Sequence, residues 1–405
     1  MRRMALTASL FLLAIACGSP SASTPASAAR SSPTQSSTAG STNASFDLLS
    51  VPGGVSPASA ARTASWITCS GAIGASDPVA LVTLHTGANT GELVLRDYSN
   101  PRSPRTACQF NTQQGGHGYS VNQLLDAHHV VINTFDGNWL YAVVDLPEMR
   151  FHWFQLPSQP GFGASLLAVS PALNEIAWLS YNDSTGADRK VHLTTKSGDK
   201  IVASLPPALG RCGAPNLSKE SAYTHSGSHL FVLDQPLPDN TMIVFQGNEQ
   251  RLALVPPSGG WPRGTQPEMA IWSPNSEALF YRQNGDVWQW TAAYGAQRYL
   301  PGVNWYYPTF SADGSHLAYA VPRSDGIHDI YMIDMAHGGT PQLLKGARNF
   351  PVFLNSTQLW YWTEGQGICG ASMDHALIYD ITDGSEAATI IDQVTGIWPA
   401  TSSSY

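Results

Sequence analysis

A unit of roughly forty to fifty residues recurs along most of this 405-residue chain, and that period constrains the fold more than any single motif. FSADGSHLAY at residues 310–319 aligns in frame with WSPNSEALFY at 272–281, VSPALNEIAW at 169–178 and YTHSGSHLFV at 223–232. Looser copies are FLNSTQLWY at 353–361, LLDAHHVVI at 124–132 and PVALVTLH at 78–85. One aliphatic residue marks each copy: Leu81, Val130, Ile176, Leu230, Leu279, Leu317 and Leu359. Successive markers are 49, 46, 54, 49, 38 and 42 residues apart.

Each copy reads as a hairpin. An apolar strand end meets a turn such as SADG or SPNS, where Pro presets φ and Asp, Asn or Gly supplies turn geometry, and a second alternating strand follows. Two more strands complete the unit: HDIYMID at 328–334 with PQLL at 341–344, and DVWQW at 286–290 with AQRYL at 296–300. Four short antiparallel strands per repeat define an all-β propeller blade. The expected architecture is a single β-propeller over residues 65–405 with seven four-stranded blades, six and eight being the neighbouring counts.

PTFSADGSHLAY at 308–319, DIYMID at 329–334, GG at 338–339 and LL at 343–344 together resemble the TolB-like (WD40-like) repeat of periplasmic and secreted propellers. The likeness is fullest in this copy and in the one before it. It implies a propeller used mainly for protein contacts. Such propellers also sit beside hydrolase domains, and none is expected here.

The amino terminus carries an address. Arg2 and Arg3 precede an apolar stretch at residues 6–16, too short for an ordinary spanning helix, which reads as a signal peptide over residues 1–16. The run LLAIAC ending at Cys17 resembles the lipobox of bacterial lipoproteins, with Ala14 where that family prefers Leu. The resemblance implies cleavage before Cys17 and its lipidation; an ordinary secretory signal is the alternative. Residues 18–45 are nearly all Ser, Thr, Ala, Pro and Gly, so residues 17–64 are expected to tether the folded part to a membrane.

With Cys17 acylated, four of the five cysteines remain: Cys69, Cys108, Cys212 and Cys369. An even set in an oxidising compartment favours disulfides, with three pairings open. Proximity along the chain favours Cys69 with Cys108 and Cys212 with Cys369. None of the four lies at zinc-knuckle spacing, so no metal is expected there.

With 21 basic against 29 acidic residues, the chain has no basic stripe to neutralise phosphates, which excludes nucleic acid as a partner. It lacks a GxSxG elbow, a phosphate loop and an HExxH helix, so no cofactor is expected. Among twelve histidines, His128 and His129 are adjacent on a strand and point to opposite faces. The pairs His225 with His229 and His316 with His328 read as turn or rim residues, having no carboxylates at a defining spacing. The inner-strand candidates, MAIWS and YPTFS among them, read as apolar or hydroxylated rather than acidic.

In a propeller, the linkers entering each innermost strand converge on one face. Linker by linker, that face collects His117 and Tyr119, Phe162, Arg211, Trp261 and Arg263, Trp305 and Tyr306, then Arg348 and Asn349. Aromatics with Arg suit a recognition surface, while the same aromatics could wedge between blades. The expectation is a monomeric, membrane-anchored extracytoplasmic module binding an envelope protein, a peptide or a glycan without catalysis. The alternative is a propeller lyase, lactonase or glycosidase-like hydrolase acting on the central channel.

Overall fold

The computed structural model describes residues 55–58, 66–85, 91–100, 103–112, 119–135, 137–157, 159–207, 219–235, 239–367, 370–388 and 394–399. These form seven antiparallel sheets and no helix. Six sheets run in chain order, so that each strand pairs with the one before it. They are blade 1 (residues 119–155), blade 2 (162–204), blade 3 (219–254), blade 4 (268–300), blade 5 (306–345) and blade 6 (348–388).

The seventh, closing blade joins the two ends of the chain. Val394–Pro399 is its innermost strand and pairs with Val79–His85, followed outward by Gly91–Asp97, Arg105–Phe110 and Ile67–Cys69. Ahead of the expected boundary at residue 65, Ser56–Pro57 adds to the outer edge of blade 1, and Val55 is buried between blades 1 and 2.

The recurring marker has a definite place. All seven marker residues lie on the second strand of a blade and are 0–4% exposed. In blades 1 to 6 the marker pairs with the last residue of the innermost strand, as Leu317 does with Phe310 and Leu279 with Trp272. The turn between them is shared by four blades. Its fourth residue donates back to the first carbonyl at 2.8–2.9 Å in Ser170–Leu173, Thr224–Gly227, Ser273–Ser276 and Ser311–Gly314. That fourth residue has positive φ in each copy: glycine at Gly227 and Gly314, but Leu173 and Ser276 in the other two.

Alternation along each strand sends successive side chains to opposite neighbours. On His316–Pro322, Leu317 and Tyr319 pack toward blade 4, while Ala318 packs toward blade 6. The described core accordingly divides into seven apolar clusters, one at each junction between successive blades, including blade 6 with the closing blade and the closing blade with blade 1. Each sheet therefore buries its faces only against its neighbours, as repeat architectures require. The fold is a closed seven-bladed β-propeller.

Cys69 and Cys108 are register partners on adjacent strands of the closing blade, with Cα atoms 4.0 Å apart, and form a disulfide. Such a bond belongs to a chain that folds in an oxidising compartment outside the cytoplasm. Cys212 and Cys369, like Cys17 and the signal and tether segments through residue 54, lie outside the described residues.

Candidate functional site

The linkers entering the innermost strands and the hairpins joining second to third strands reach the same face of the ring. One rung there can be followed blade by blade. Ser120, Ser165, Glu220, Glu268, Tyr306 and Asn349, on six innermost strands, each pair with the residue three past the marker of their blade. In blades 4, 5 and 6 the next residue takes a left-handed conformation inside a β-bulge: Met269, Tyr307 and Phe350, with φ of 52°, 51° and 52°. Non-glycine residues rarely adopt this region, and a bulge re-aims the side chains around it. Here it brings Tyr307 and Phe350 of neighbouring blades into a stack with ring centroids 3.8 Å apart.

Across blades 4 to 6 the two carboxylates near this rung are each paired. Arg282 pairs with Glu268, donates at 2.8 Å to both Asn304 Oδ1 and the Trp305 carbonyl, and lies 4.2 Å above the Tyr306 ring. Tyr306 meets His328 edge-on, with centroids 5.8 Å apart. His328 in turn engages Glu364 of the next blade, its backbone N–H at 2.5 Å and its Nδ1 at 3.1 Å. Asn349 Nδ2 donates to the same carboxylate at 2.7 Å. Ion pairs, hydrogen bonds and ring contacts thus link the aromatic residues at the mouth.

Glu220 is different. Burial pushes its carboxyl up to about 7, with Gln235 donating at 2.6 Å to Oε1 and opposing that rise, and the negative charge of Glu268 adding to it. Its Oε2 is buried with no hydrogen-bond partner among the described residues.

Blades 1 to 3 instead enclose a cavity of about 380 Å³. Asn122 and Asn133 of blade 1, Ser165 and Tyr181 of blade 2, and Tyr141 and Trp139 of blade 1 line it, and no charged side chain does. Two further lining residues staple neighbouring strands. The Gln123 amide exchanges hydrogen bonds with the Val169 backbone at 3.1 and 3.3 Å, and Ser221 Oγ donates to the Leu167 carbonyl at 2.6 Å. The side-chain oxygens of Asn122 and Asn133 are buried with no hydrogen-bond partner among the described residues. At the rim, Trp139 is 51% exposed and Phe135 53%, packed edge-on at 5.3 Å.

The expected face is brought together only in part. Tyr306 and Asn349 belong to the network just described. Arg348 lies beside them at the start of its strand, 3.5 Å from Glu386 and over the Tyr361 ring. Trp261 is half-buried, its Nε1 donating to the Asn240 carbonyl at 2.6 Å, and Arg263 and Phe162 are exposed. Trp305 and Tyr119 are corrections. Trp305 is 0% exposed in the junction of blades 4 and 5. Tyr119 is 4% exposed, stacked on Trp66, with its hydroxyl donating at 2.6 Å to the Trp66 carbonyl. Both are wedges: Tyr119 starts its strand facing the core, and Trp305, just ahead of Tyr306–Phe310, packs on Tyr319. His117 and Arg211 lie outside the described residues.

Two expectations about polar chemistry also change. The innermost strands begin earlier than the motif suggested, at Lys219 in blade 3 and Glu268 in blade 4, so they do carry acids, Glu220 and Glu268. His328 does have a carboxylate partner, supplied by the adjacent blade rather than by its own sequence neighbours. Among the described residues, no group of three or more His, Cys, Asp or Glu side chains is arranged to hold a metal ion.

No protein-family model and no curated protein matches this chain. Solved structures similar to it include a prolyl endopeptidase, at TM-score 0.50 and 10% identity, covering 80% of this chain and 49% of that one. This chain thus spans about half the length of that enzyme. An oligogalacturonate lyase in complex with manganese matches at TM-score 0.43 and 12% identity, covering 76% of this chain and 84% of the lyase. TolB from Acinetobacter baumannii matches at TM-score 0.37 and 13% identity, covering 80% and 83%. At such identities the likeness is one of fold.

Proposed function

We propose that this chain is an exported, membrane-tethered propeller that binds or scaffolds a ligand through its linker face and performs no catalysis. Lipid on Cys17 would hold it at a membrane, and residues 18–45 would stand the ring off the surface. The observation that supports the binding role is the pairing of the two mouth carboxylates, Glu268 and Glu364, across blades 4 to 6. Glu268 is held by Arg282, and Glu364 by His328 and Asn349, so these carboxylates serve to fix Tyr306, Tyr307 and Phe350. A rigid aromatic and amide surface freezes few rotamers on binding.

A second reading, a channel enzyme, is favoured by one feature. Glu220 carries a carboxyl raised to about 7 with the Glu268 charge nearby, a pairing that suits general acid–base work. One experiment separates the two. The full chain is incubated with a panel of oligosaccharides, lactones and peptides, with thermal shift reporting binding and mass spectrometry reporting the ligand afterwards. Binding with the ligand recovered intact supports the module. Turnover that disappears in Glu220→Gln establishes the enzyme. Mass spectrometry of the mature amino terminus tests the anchor, since a terminus other than modified Cys17 removes it.

A further inference from the structure

Two exposed aromatic side chains of blade 1 share one hairpin. Phe135 ends the second strand and Trp139 begins the third; they are register partners, 53% and 51% exposed, with rings edge-on at 5.3 Å. Large apolar rings left in water at a hairpin tip forgo the burial that drives the rest of the fold, which marks them for a contact outside the ring. Phe162, 38% exposed, opens the innermost strand of blade 2, whose Ala164 and Ser165 line the same cavity as Trp139. All three rings therefore sit on the linker face, in the sector of blades 1 and 2. The chain also enters the ring in that sector. Ser56 pairs with Gln155, the last residue of the strand that rises to the linker face, and Pro57 pairs with Phe154, so Ser56–Pro57 runs away from that face. Val55, buried between blades 1 and 2, is thus joined to the preceding chain, and through it to Cys17, on the side that carries the exposed aromatics.

From this juxtaposition we infer that the aromatic hairpin of blade 1 seats in a lipid surface, holding the linker face of blades 1 and 2 against the membrane that carries the anchor. The inference rests on the lipid-anchor reading and adds an orientation to it. Trp and Phe suit the boundary between headgroups and acyl chains, where a large ring is partly withdrawn from water. Two or three such rings bind lipid only weakly from bulk solution. A covalent anchor changes that. A stretch as long and as rich in Ser, Thr, Ala and Pro as residues 17–54 has a reach of about 35 Å, so the hairpin meets lipid at an effective concentration set by the tether. The tether sets the reach, and the hairpin sets the resting contact. On the blade 2 hairpin of the same face, Asp183 and Asp188 are exposed beside a single exposed cation, Lys190. The described residues of this sector therefore offer no basic patch for anionic headgroups, and the contact is apolar and indifferent to salt.

The test places the mature chain in phosphatidylcholine vesicles, with and without bromine on the acyl chains, and reads flotation and tryptophan quenching. Among the residues whose side chains are described, Trp139 is the one exposed tryptophan, so quenching by bromine reports on it. The emission that Trp139→Ser removes is expected to fall at least two-fold in brominated vesicles, whatever the salt. Phe135→Ser, which keeps the reporter, should restore at least half of that loss. Both side chains are half exposed, and circular dichroism checks that each variant folds. Tyr294→Trp puts a control at the hairpin joining the third and fourth strands of blade 4, on the opposite face, where Tyr294 is 64% exposed; its added emission should be untouched by bromine. A chain that floats with equal Trp139 emission in both vesicles, or with equal quenching at Tyr294→Trp, overturns the inference and leaves the anchor. A chain that does not float defeats the anchor reading and this inference with it. Trp139 protection that grows with protein density on unbrominated vesicles identifies a second copy as the occupant and overturns the lipid seat.

Discussion

Replacing Arg189 with Met should destabilise the protein by about 3–5 kcal/mol, the cost of stranding a buried carboxylate. Arg189 lies just ahead of the third strand of blade 2 and meets Asp234 at the end of the second strand of blade 3, with side-chain exposures of 0% and 1%. The pair is two-pronged, at 2.5 and 2.6 Å, and Nη1 also donates at 3.2 Å to the Pro206 carbonyl. Removing the guanidinium deprives Asp234 of its cation in a place that water does not reach. Removing both charges should be far milder, so Arg189→Met with Asp234→Leu is expected to recover most of the loss. Arg150 and Glu148, 63% and 51% exposed at 2.5 Å, supply the contrast. Arg150→Ala should cost less than about 1 kcal/mol despite similar geometry. Urea unfolding followed by tryptophan fluorescence reads all three, with a constant slope confirming that the midpoint shift is a stability change. A loss below about 1 kcal/mol in Arg189→Met, or a double variant no better than the single, would refute a desolvated pair locking blade 2 to blade 3.

Two further perturbations test particular contacts. Because burial raises Glu220 from 4.5 to about 7 in the folded protein, its contribution to stability is complete below pH 4.5 and is lost as pH rises toward 7. The difference amounts to about 3 kcal/mol; Glu220→Gln should abolish this fall in urea-midpoint profiles, and parallel profiles would exclude it. The Cys69–Cys108 bond closes a loop of 39 residues, so Cys69→Ala with Cys108→Ala should cost up to about 4 kcal/mol in oxidising buffer and nothing further under reductant, as read by urea unfolding.

The ring was legible in the sequence because one aliphatic position per repeat must sit on the buried second strand, from Leu81 to Leu359, and the Ser/Thr-started turns before it recur in four blades. The site was less so. Trp305 and Tyr306 are neighbours of similar chemistry, yet Trp305, in the linker just before the strand, is buried in the junction of blades 4 and 5 while Tyr306 lies at the mouth under Arg282. The bulges at Met269, Tyr307 and Phe350 carry no glycine to announce a left-handed residue, so the re-aiming of these strands left no local trace. The Glu364 contact of His328 spans 36 residues and depends on the register of two separate blades. The cavity of blades 1 to 3 is set by the packing of three sheets, with small residues such as Ala164 and Ser165 in its lining. No period in the sequence encodes such a void.

Convergence of the linkers, and with it every placement of a site, depends on the ring being closed by Val394–Pro399 as the innermost strand of the sheet that begins the propeller. The urea transition of the chain ended at residue 393, compared with that of the full chain, tests this directly. Loss of five register pairs with Val79–His85, at about 1 kcal/mol net for each hydrogen bond, should lower stability by about 3–5 kcal/mol or abolish the cooperative transition. Superimposable transitions for the two chains would contradict a closed ring.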